Sequence, residues 1–193
     1  MKGEWCYIKN YLSPELCKDI IDKCKKRELK NATIGSLGSN SVRSDNETRR
    51  SKTCFILRND PEFGFIFDKL WSDIILVNDE WFKFHISRLT AIQFAEYDSE
   101  YKGEYKKHID VFWLNNDPEN HRKVSVIIQL SDEKSYEGGE FEFFGVYQHP
   151  NKEEIRKQGT ALFFPSFIEH QLNQVTKGTR YSLACWFDGP KWR

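Results

Sequence analysis

From Phe84 to Asp188 the chain alternates short apolar stretches with turn residues, and this rhythm constrains the fold more than any other feature. Strands are expected at roughly 84–96, 104–114, 122–131, 139–146, 159–164, 167–175 and 179–188. Between them lie Asp98 to Gly103, Asn115-Asn116-Asp117-Pro118, Gly138-Gly139, His149-Pro150-Asn151, Pro165-Ser166 and Lys177-Gly178. Gly, Pro, Asn and Asp supply the backbone angles that reverse a chain, each by its own mechanism. Short strands at such regular spacing argue a sandwich or barrel.

The residues before this body read as helices and a loop. Ser13-Pro14-Glu15 is a helix start, with Ser as cap, Pro in the first helical position and Glu in the first turn. Leu16, Ile20 and Cys24 form its apolar face, and Lys23, Lys25, Lys26 and Arg27 complement the dipole at its end. Asp60-Pro61-Glu62 starts a second helix, whose stripe is Phe63, Phe67, Leu70, Trp71, Ile74 and Ile75 and which Asn78-Asp79 breaks. Between the helices, residues 31–50 are rich in Gly, Ser, Asn and charge and are expected to form one long loop. Its cluster Arg43, Arg49, Arg50 and Lys52 is interspersed with Asp45 and Glu47 and reads as solvated; Ser51 to Arg58 reads as a strand. The expectation is a single domain over residues 1–193, with 1–83 as helical support and loop and 84–188 as β body.

Composition narrows the functions. The 29 basic and 29 acidic side chains cancel, so charge gives no reason to expect nucleic acid or an anionic membrane as partner. Five Cys, an odd number with no C-x-x-C pair, read as reduced thiols. Met1 to Trp5 has no apolar signal core and no run approaches membrane-span length, so a cytoplasmic protein is expected.

Chemistry concentrates in Tyr105-Lys106-Lys107-His108-Ile109-Asp110. On a strand, His108 and Asp110 share a face with Lys106, while Tyr105, Lys107 and Ile109 take the other. His170 lies in a second strand-like run, Phe167 to Leu172. Two histidines and one carboxylate with open positions make the facial triad of non-haem Fe(II) oxygenases. Arg180 follows ten residues after His170, with Ser182 on the same strand face. A buried guanidinium forks onto a carboxylate such as 2-oxoglutarate carries. His85, His121 and His149 fall outside this spacing and read as structural or surface groups. Gly138-Gly139 reads as a tight turn, because no helix start follows as a phosphate loop requires.

At these residues the chain resembles the prolyl 4-hydroxylases and their PKHD-type relatives. Tyr97 and Tyr105 before His108-Ile109-Asp110 resemble that family's tyrosine-bearing strand. Arg122 to Ser131 is similar to the next strand, Tyr136-Glu137-Gly138-Gly139-Glu140-Phe141 to the family's Y-x-G-G-E-L turn, and Gly159 to Ser166 to its G-x-A-x-x-F-P-S segment. Upstream, Asn10 to Cys17 resembles the family's opening, and Arg50 to Phe55 its R-x-S/T-x-x-F segment. The resemblance runs over nearly the whole chain and is strongest from Tyr97 to Phe187.

The resemblance implies an α+β, mainly β fold: a double-stranded β-helix (a distorted jelly roll) with N-terminal supporting helices. It implies Fe(II) on His108, Asp110 and His170, and 2-oxoglutarate with its distal carboxylate on Arg180, helped by the hydroxyl of Ser182 or Tyr97. The insertion Asp98 to Tyr101 leaves the tyrosine register open, so Tyr101 or Tyr105 are alternatives for that hydroxyl. Trp113, Arg122 and Trp186 are candidates for the substrate entrance. The implied reaction uses O2, with ascorbate as reductant. It hydroxylates an unactivated C–H bond, of a prolyl residue in a protein or peptide, and releases succinate and CO2. A carboxylate at Asp110 argues against a halogenase. The alternatives are an oxygenase of a free amino acid or other small molecule, and a β-helix binding module without turnover. A structural jelly roll would leave His108, Asp110, His170 and Arg180 together by chance. Residues 31–50 are expected to order over the substrate.

Overall fold

The strand rhythm read from residue 84 onward appears in the computed structural model as two antiparallel sheets, with the N-terminal helices outside the larger one. The structure describes residues 1–35, 42–43, 47–111, 113, 117 and 119–192. In chain order the elements are β1 (Cys6–Ile8), α1 (Pro14–Cys24), β2 (Lys30–Asn31), β3 (Ile34–Gly35), β4 (Val42–Arg43), β5 (Arg49–Arg50), β6 (Lys52–Ile56) and α2 (Gly64–Val77). There follow β7 (Arg88–Asp98), β8 (Glu104–His108), β9 (Asn120–Gln129), β10 (Tyr136–Gly138), β11 (Phe141–Phe143), α3 (Lys152–Arg156), β12 (Ala161–Pro165), β13 (His170–Leu172) and β14 (Val175–Pro190).

The larger sheet runs β1-β12-β9-β14-β7-β6-β2, with β10 also on β14; the smaller runs β11-β13-β8-β5. Alternation gives the central strands β7, β9 and β14 two different faces. One carries Ile92, Phe94, Val126, Ile128, Leu183 and Cys185, all fully buried, and packs against Ile20 and Cys24 of α1 and Ile66, Phe67, Leu70 and Ile74 of α2. Burying each such side chain stabilises the fold by about 1.5–3 kcal/mol, and less for Cys. The other face carries Gln93, Ala95, Tyr97, Gln129, Arg180 and Ser182, and these are buried too. Buried polar groups that are not part of a backbone ladder must be satisfied by one another or by a ligand.

The caps explain the helices. Ser13 Oγ accepts from the Leu16 N–H at 3.2 Å, and Pro14 occupies the first turn. Asp60 does not cap α2 directly: its Oδ1 accepts from the Glu62 and Phe63 N–H groups in a turn, and the helix begins at Gly64. Asn78 does end it: Val77 is the last α-helical residue and Asn78 its C-cap. A π-helical turn, Asn78–Phe82, follows, and the Asn78 amide donates to Phe84 O at 2.8 Å and accepts from Phe84 N–H at 2.9 Å.

Other expectations are corrected. The run 139–146 holds only β11, with β10 ending just before it at Gly138, and 167–175 resolves into β13 and the start of β14. Helix α3, capped by Asn151, is too short to leave an apolar period in the sequence. Residues 31–50 are not one loop: β2, β3, β4 and β5 lie within or across them, and Arg49 is buried. Residues 36–41 and 44–46, on which the expected ordering over substrate rests, lie outside the described residues, as do 112 and 114–116 beyond β8. All five cysteines are free, with Cys17 and Cys24 buried on one face of α1. Among the described residues no helix is long and apolar enough to cross a membrane.

Candidate active site

β8 and β13 are neighbours in the smaller sheet, and their register sets His108 directly opposite His170. The ring centroids are 4.2 Å apart. β8 ends at His108, and the chain turns so that the Asp110 and Val111 N–H groups both donate to Ser166 O, at 2.9 and 3.2 Å. That turn brings the Asp110 carboxylate between the imidazoles: His108 Nε2 lies 3.8 Å from Oδ1 and His170 Nε2 3.7 Å from Oδ2. One ligand atom from each of the three residues falls within 4.8 Å of the others.

The donor set fits a divalent metal. His108 Nδ1–H donates to Lys106 O at 2.7 Å and His170 Nδ1–H to Ile168 O at 2.9 Å, which leaves each Nε2 lone pair free for a metal. Burial, with His170 beside it, pushes the His108 imidazole down to about 3, so it stays neutral. Burial by itself would raise the Asp110 carboxyl. His170, His108, Arg122 and the Ser125 hydroxyl outweigh it and hold the group at about 2, so it stays a carboxylate. Ser125 Oγ donates to Asp110 Oδ2 at 2.6 Å and lies 2.9 Å from Ser166 Oγ. Phe141 and Phe164 pack on His170, with centroids at 5.4 and 4.8 Å.

Arg180 and Ser182 lie on β14, two residues apart on the face that looks toward the triad. Arg180 Nη1 donates to Ser182 Oγ at 3.1 Å, and both residues are buried. Tyr97 is the cross-strand partner of Arg180 and also lines this pocket. Tyr101 is directed elsewhere, since its hydroxyl donates to Glu96 O at 2.9 Å. Gly138 and Gly139 have φ of +73° and +65°. A Cβ on Gly138 would meet Gln174 O at 2.3 Å, and one on Gly139 would lie 3.3 Å from Arg180 Cδ. Glycine at this turn lets the backbone close over the arginine.

Tyr105 overturns the simple face argument. It was expected on the face opposite His108, yet its ring stacks on the His108 ring at 3.5 Å. The reason is a bulge: Tyr105 pairs with Leu172 and His108 with His170, so β8 spends three steps where β13 spends two. Of the three residues expected at a substrate entrance, Arg122 and Trp186 stack on each other at 4.1 Å, with Arg122 Nη1 3.5 Å from Asp110 O. Trp113 is 45% exposed, packs on His121 and does not line the pocket. His121 is buried and accepts from the Trp192 N–H, a structural role.

Sequence reasoning passed over Arg49, Ser51, Gln93, Ser125 and Gln129, all buried on this face or against it. The R-x-S/T-x-x-F segment read from Arg50 has its buried pair one residue earlier: Arg49 Nε donates to Ser51 Oγ at 2.7 Å. The i, i+2 spacing of Arg49 and Ser51 was the available signal.

Comparison with known proteins agrees with this geometry. A family model described as the 2OG-Fe(II) oxygenase superfamily matches residues 92–188. A PKHD-type hydroxylase of Synechococcus sp. (strain CC9311) is 30% identical over 91 residues, which cover 47% of this chain and 39% of that relative. The chain thus matches well under two thirds of the relative's length. A prolyl-4-hydroxylase of Pseudomonas putida superposes with a TM-score of 0.70 at 20% identity, covering 96% of this chain and 92% of the other. A Trichoplax adhaerens prolyl hydroxylase superposes with 0.71 at 20% identity, over 96% and 83%. These likenesses bear out the mainly β jelly-roll fold. The family model spans half of the chain and includes all three candidate metal ligands and Arg180, and the protein belongs to the 2OG-Fe(II) oxygenase superfamily.

Proposed function

We propose that the protein hydroxylates an unactivated C–H bond of a prolyl residue in a protein or peptide, consuming O2 and 2-oxoglutarate and releasing succinate and CO2. The observation that carries the oxygenase part is the convergence of His108, Asp110 and His170 in the pocket that Arg180 and Ser182 line from the opposite sheet. Fe(II) held there, with 2-oxoglutarate, supplies the oxidising chemistry that amino-acid side chains lack.

The chain's own residues position and exclude. His108 and His170 turn Nε2 toward the metal position because Lys106 O and Ile168 O hold their Nδ1 protons. Asp110 contributes the one negative charge, oriented by Ser125. Arg180 receives the distal carboxylate of 2-oxoglutarate through charge-assisted hydrogen bonds, with the hydroxyls of Ser182 and Tyr97 beside it. Phe141, Phe164 and Leu172 keep water from the metal side of the pocket. Arg122, stacked on Trp186, supports the Asp110 backbone from beside the pocket and does not itself line it.

The prolyl preference rests on the relatives. The Trichoplax neighbour was solved with a hypoxia inducible factor oxygen degradation domain peptide fragment, so this fold accepts a peptide in that protein. The test combines purified protein, Fe(II), ascorbate, 2-oxoglutarate and a panel of proline-containing peptides, with succinate and peptide mass read together. Succinate with one oxygen added to a peptide is the expected result. Succinate without a peptide shift moves the substrate to a free amino acid or other small molecule. Bound 2-oxoglutarate without succinate for any substrate favours a binding module.

A further inference from the structure

Arg49 has no part in the reaction as described, yet it lines the same pocket as the triad and Arg180. It is 6% exposed. Its Nη2 donates to Gln93 Oε1 at 2.9 Å and to Tyr97 OH at 3.4 Å, and its Nε to Ser51 Oγ. The guanidinium carbon lies 4.6 Å from the Tyr105 ring centroid. All four partners are neutral. Among the described residues no carboxylate pairs with Arg49, and its Nη1 nitrogen has no partner.

A buried guanidinium without a counter-charge is costly, and the cost persists only where something repays it. The other charges of the pocket are accounted for. Two positive charges of Fe(II) and one of Arg180 are met by Asp110 and the two carboxylates of 2-oxoglutarate. Arg122, next to Asp110, also feels the charge of Asp188. Arg49 is the charge left over. It meets the cosubstrate end only at Tyr97, whose hydroxyl its Nη2 approaches at 3.4 Å. Arg49 is on β5 of the smaller sheet, opposite Tyr105 of the ligand strand, whereas Arg180 is on β14 of the larger. Only the ring of Tyr105 intervenes in the chain of contacts from Arg49 to His108.

Resting on the oxygenase reading above, we propose that Arg49 receives a carboxylate of the primary substrate. One unengaged guanidinium nitrogen among neutral hydrogen-bonding partners suits a single carboxylate. That carboxylate comes either from the backbone terminus of the residue being hydroxylated, as in a free or C-terminal amino acid, or from an Asp or Glu side chain beside it in a peptide. Arg49 is then a specificity-determining residue, and the substrate is anionic.

The experiment uses the full chain loaded with Mn(II) and 2-oxoglutarate, which holds the site without turnover. Binding is measured by calorimetry for two pairs of probes. N-acetylproline against N-acetylprolinamide tests the terminal carboxylate. Capped peptides containing Asp-Pro or Pro-Glu, against their Asn-Pro or Pro-Gln counterparts, test the side chain. The expected result is at least a tenfold preference for the carboxylate in one pair, lost in Arg49→Gln and partly kept in Arg49→Lys. The pair that shows it identifies the source. No carboxylate preference in either pair, or one that survives Arg49→Gln, overturns the assignment. So does an Arg49→Gln variant that loses 2-oxoglutarate affinity while keeping the preference. Arg49→Lys retains the charge and covers the case in which Arg49→Gln does not fold. Failure of the wild-type protein to bind 2-oxoglutarate overturns the oxygenase reading itself; binding it without a carboxylate preference overturns only the role of Arg49.

Discussion

The Tyr105 ring lies flat against the His108 ring, with centroids 3.5 Å apart and planes 13° from parallel. The stack exists because β8 carries one residue more than β13 between two paired positions. It fixes the plane of the imidazole from one side, while Lys106 O fixes its rotation through Nδ1.

Removing this support is expected to loosen the metal. Tyr105→Ala lowers Mn(II) affinity about tenfold, the lower end of what partners around a metal ligand contribute. Tyr105→Phe keeps the stack and stays near wild type. Metal titration by calorimetry checks both, and an unchanged Ala variant would sink the orienting role of the ring.

Ser125 should matter in the same way from the carboxylate side. It donates to Asp110 Oδ2 at 2.6 Å from a fully buried position on β9. Ser125→Ala is expected to lower metal affinity about 10- to 100-fold, with little change in the thermal midpoint. A large loss of stability at unchanged affinity would make Ser125 a packing residue.

Arg180 and the triad should separate in binding experiments. Arg180→Ala weakens 2-oxoglutarate by about 2–5 kcal/mol, because it strips the counter-charge from a buried carboxylate. Mn(II) binding in its absence is expected to hold. His108→Ala and Asp110→Ala lose the metal, and with it iron-dependent succinate formation. Equal loss of both ligands in Arg180→Ala would show the arginine to be structural.

Asp60 provides a pH test far from the site. Arg27 donates to it at 2.6 Å and holds its carboxyl below the ordinary value against the opposing effect of burial, and the Glu62 and Phe63 N–H groups add to the shift. A carboxyl depressed on folding stabilises the fold above its unfolded value of about 4, and the stabilisation is lost as pH falls through the lower folded value. Asp60→Asn is therefore expected to be less stable than wild type by about 1 kcal/mol at pH 7. The gap should close toward pH 2, and urea denaturation at both pH values reads it. A gap that stays constant with pH would show that the ion pair contributes nothing.

Spacing and residue type along the chain determined much of this protein. Turn residues marked most strand ends from 98 to 178, the Ser13 cap marked α1, and His108, Asp110, His170, Arg180 and Ser182 could be singled out because ligand chemistry admits few residue types. These are local signals, carried by neighbours within a few residues. Arg49 shows where they stop. Glu47, Arg50 and Lys52 lie near it in the chain and it reads as solvated, yet pairing of β5 with β8 buries it against Tyr105, 56 positions away. Tyr105 shows the same for faces. Alternation assigns it away from His108, and a bulge set by the register with β13 brings it back. Ser125 reaches Asp110 only because the turn after β8 is caught by Ser166 O, which positions the carboxylate beside β9. Which residues carry chemistry was written in the order of the chain. Which of them meet, and which charge is left without a partner, was decided by the register between distant strands, because period-two alternation says nothing about where one strand pairs with another.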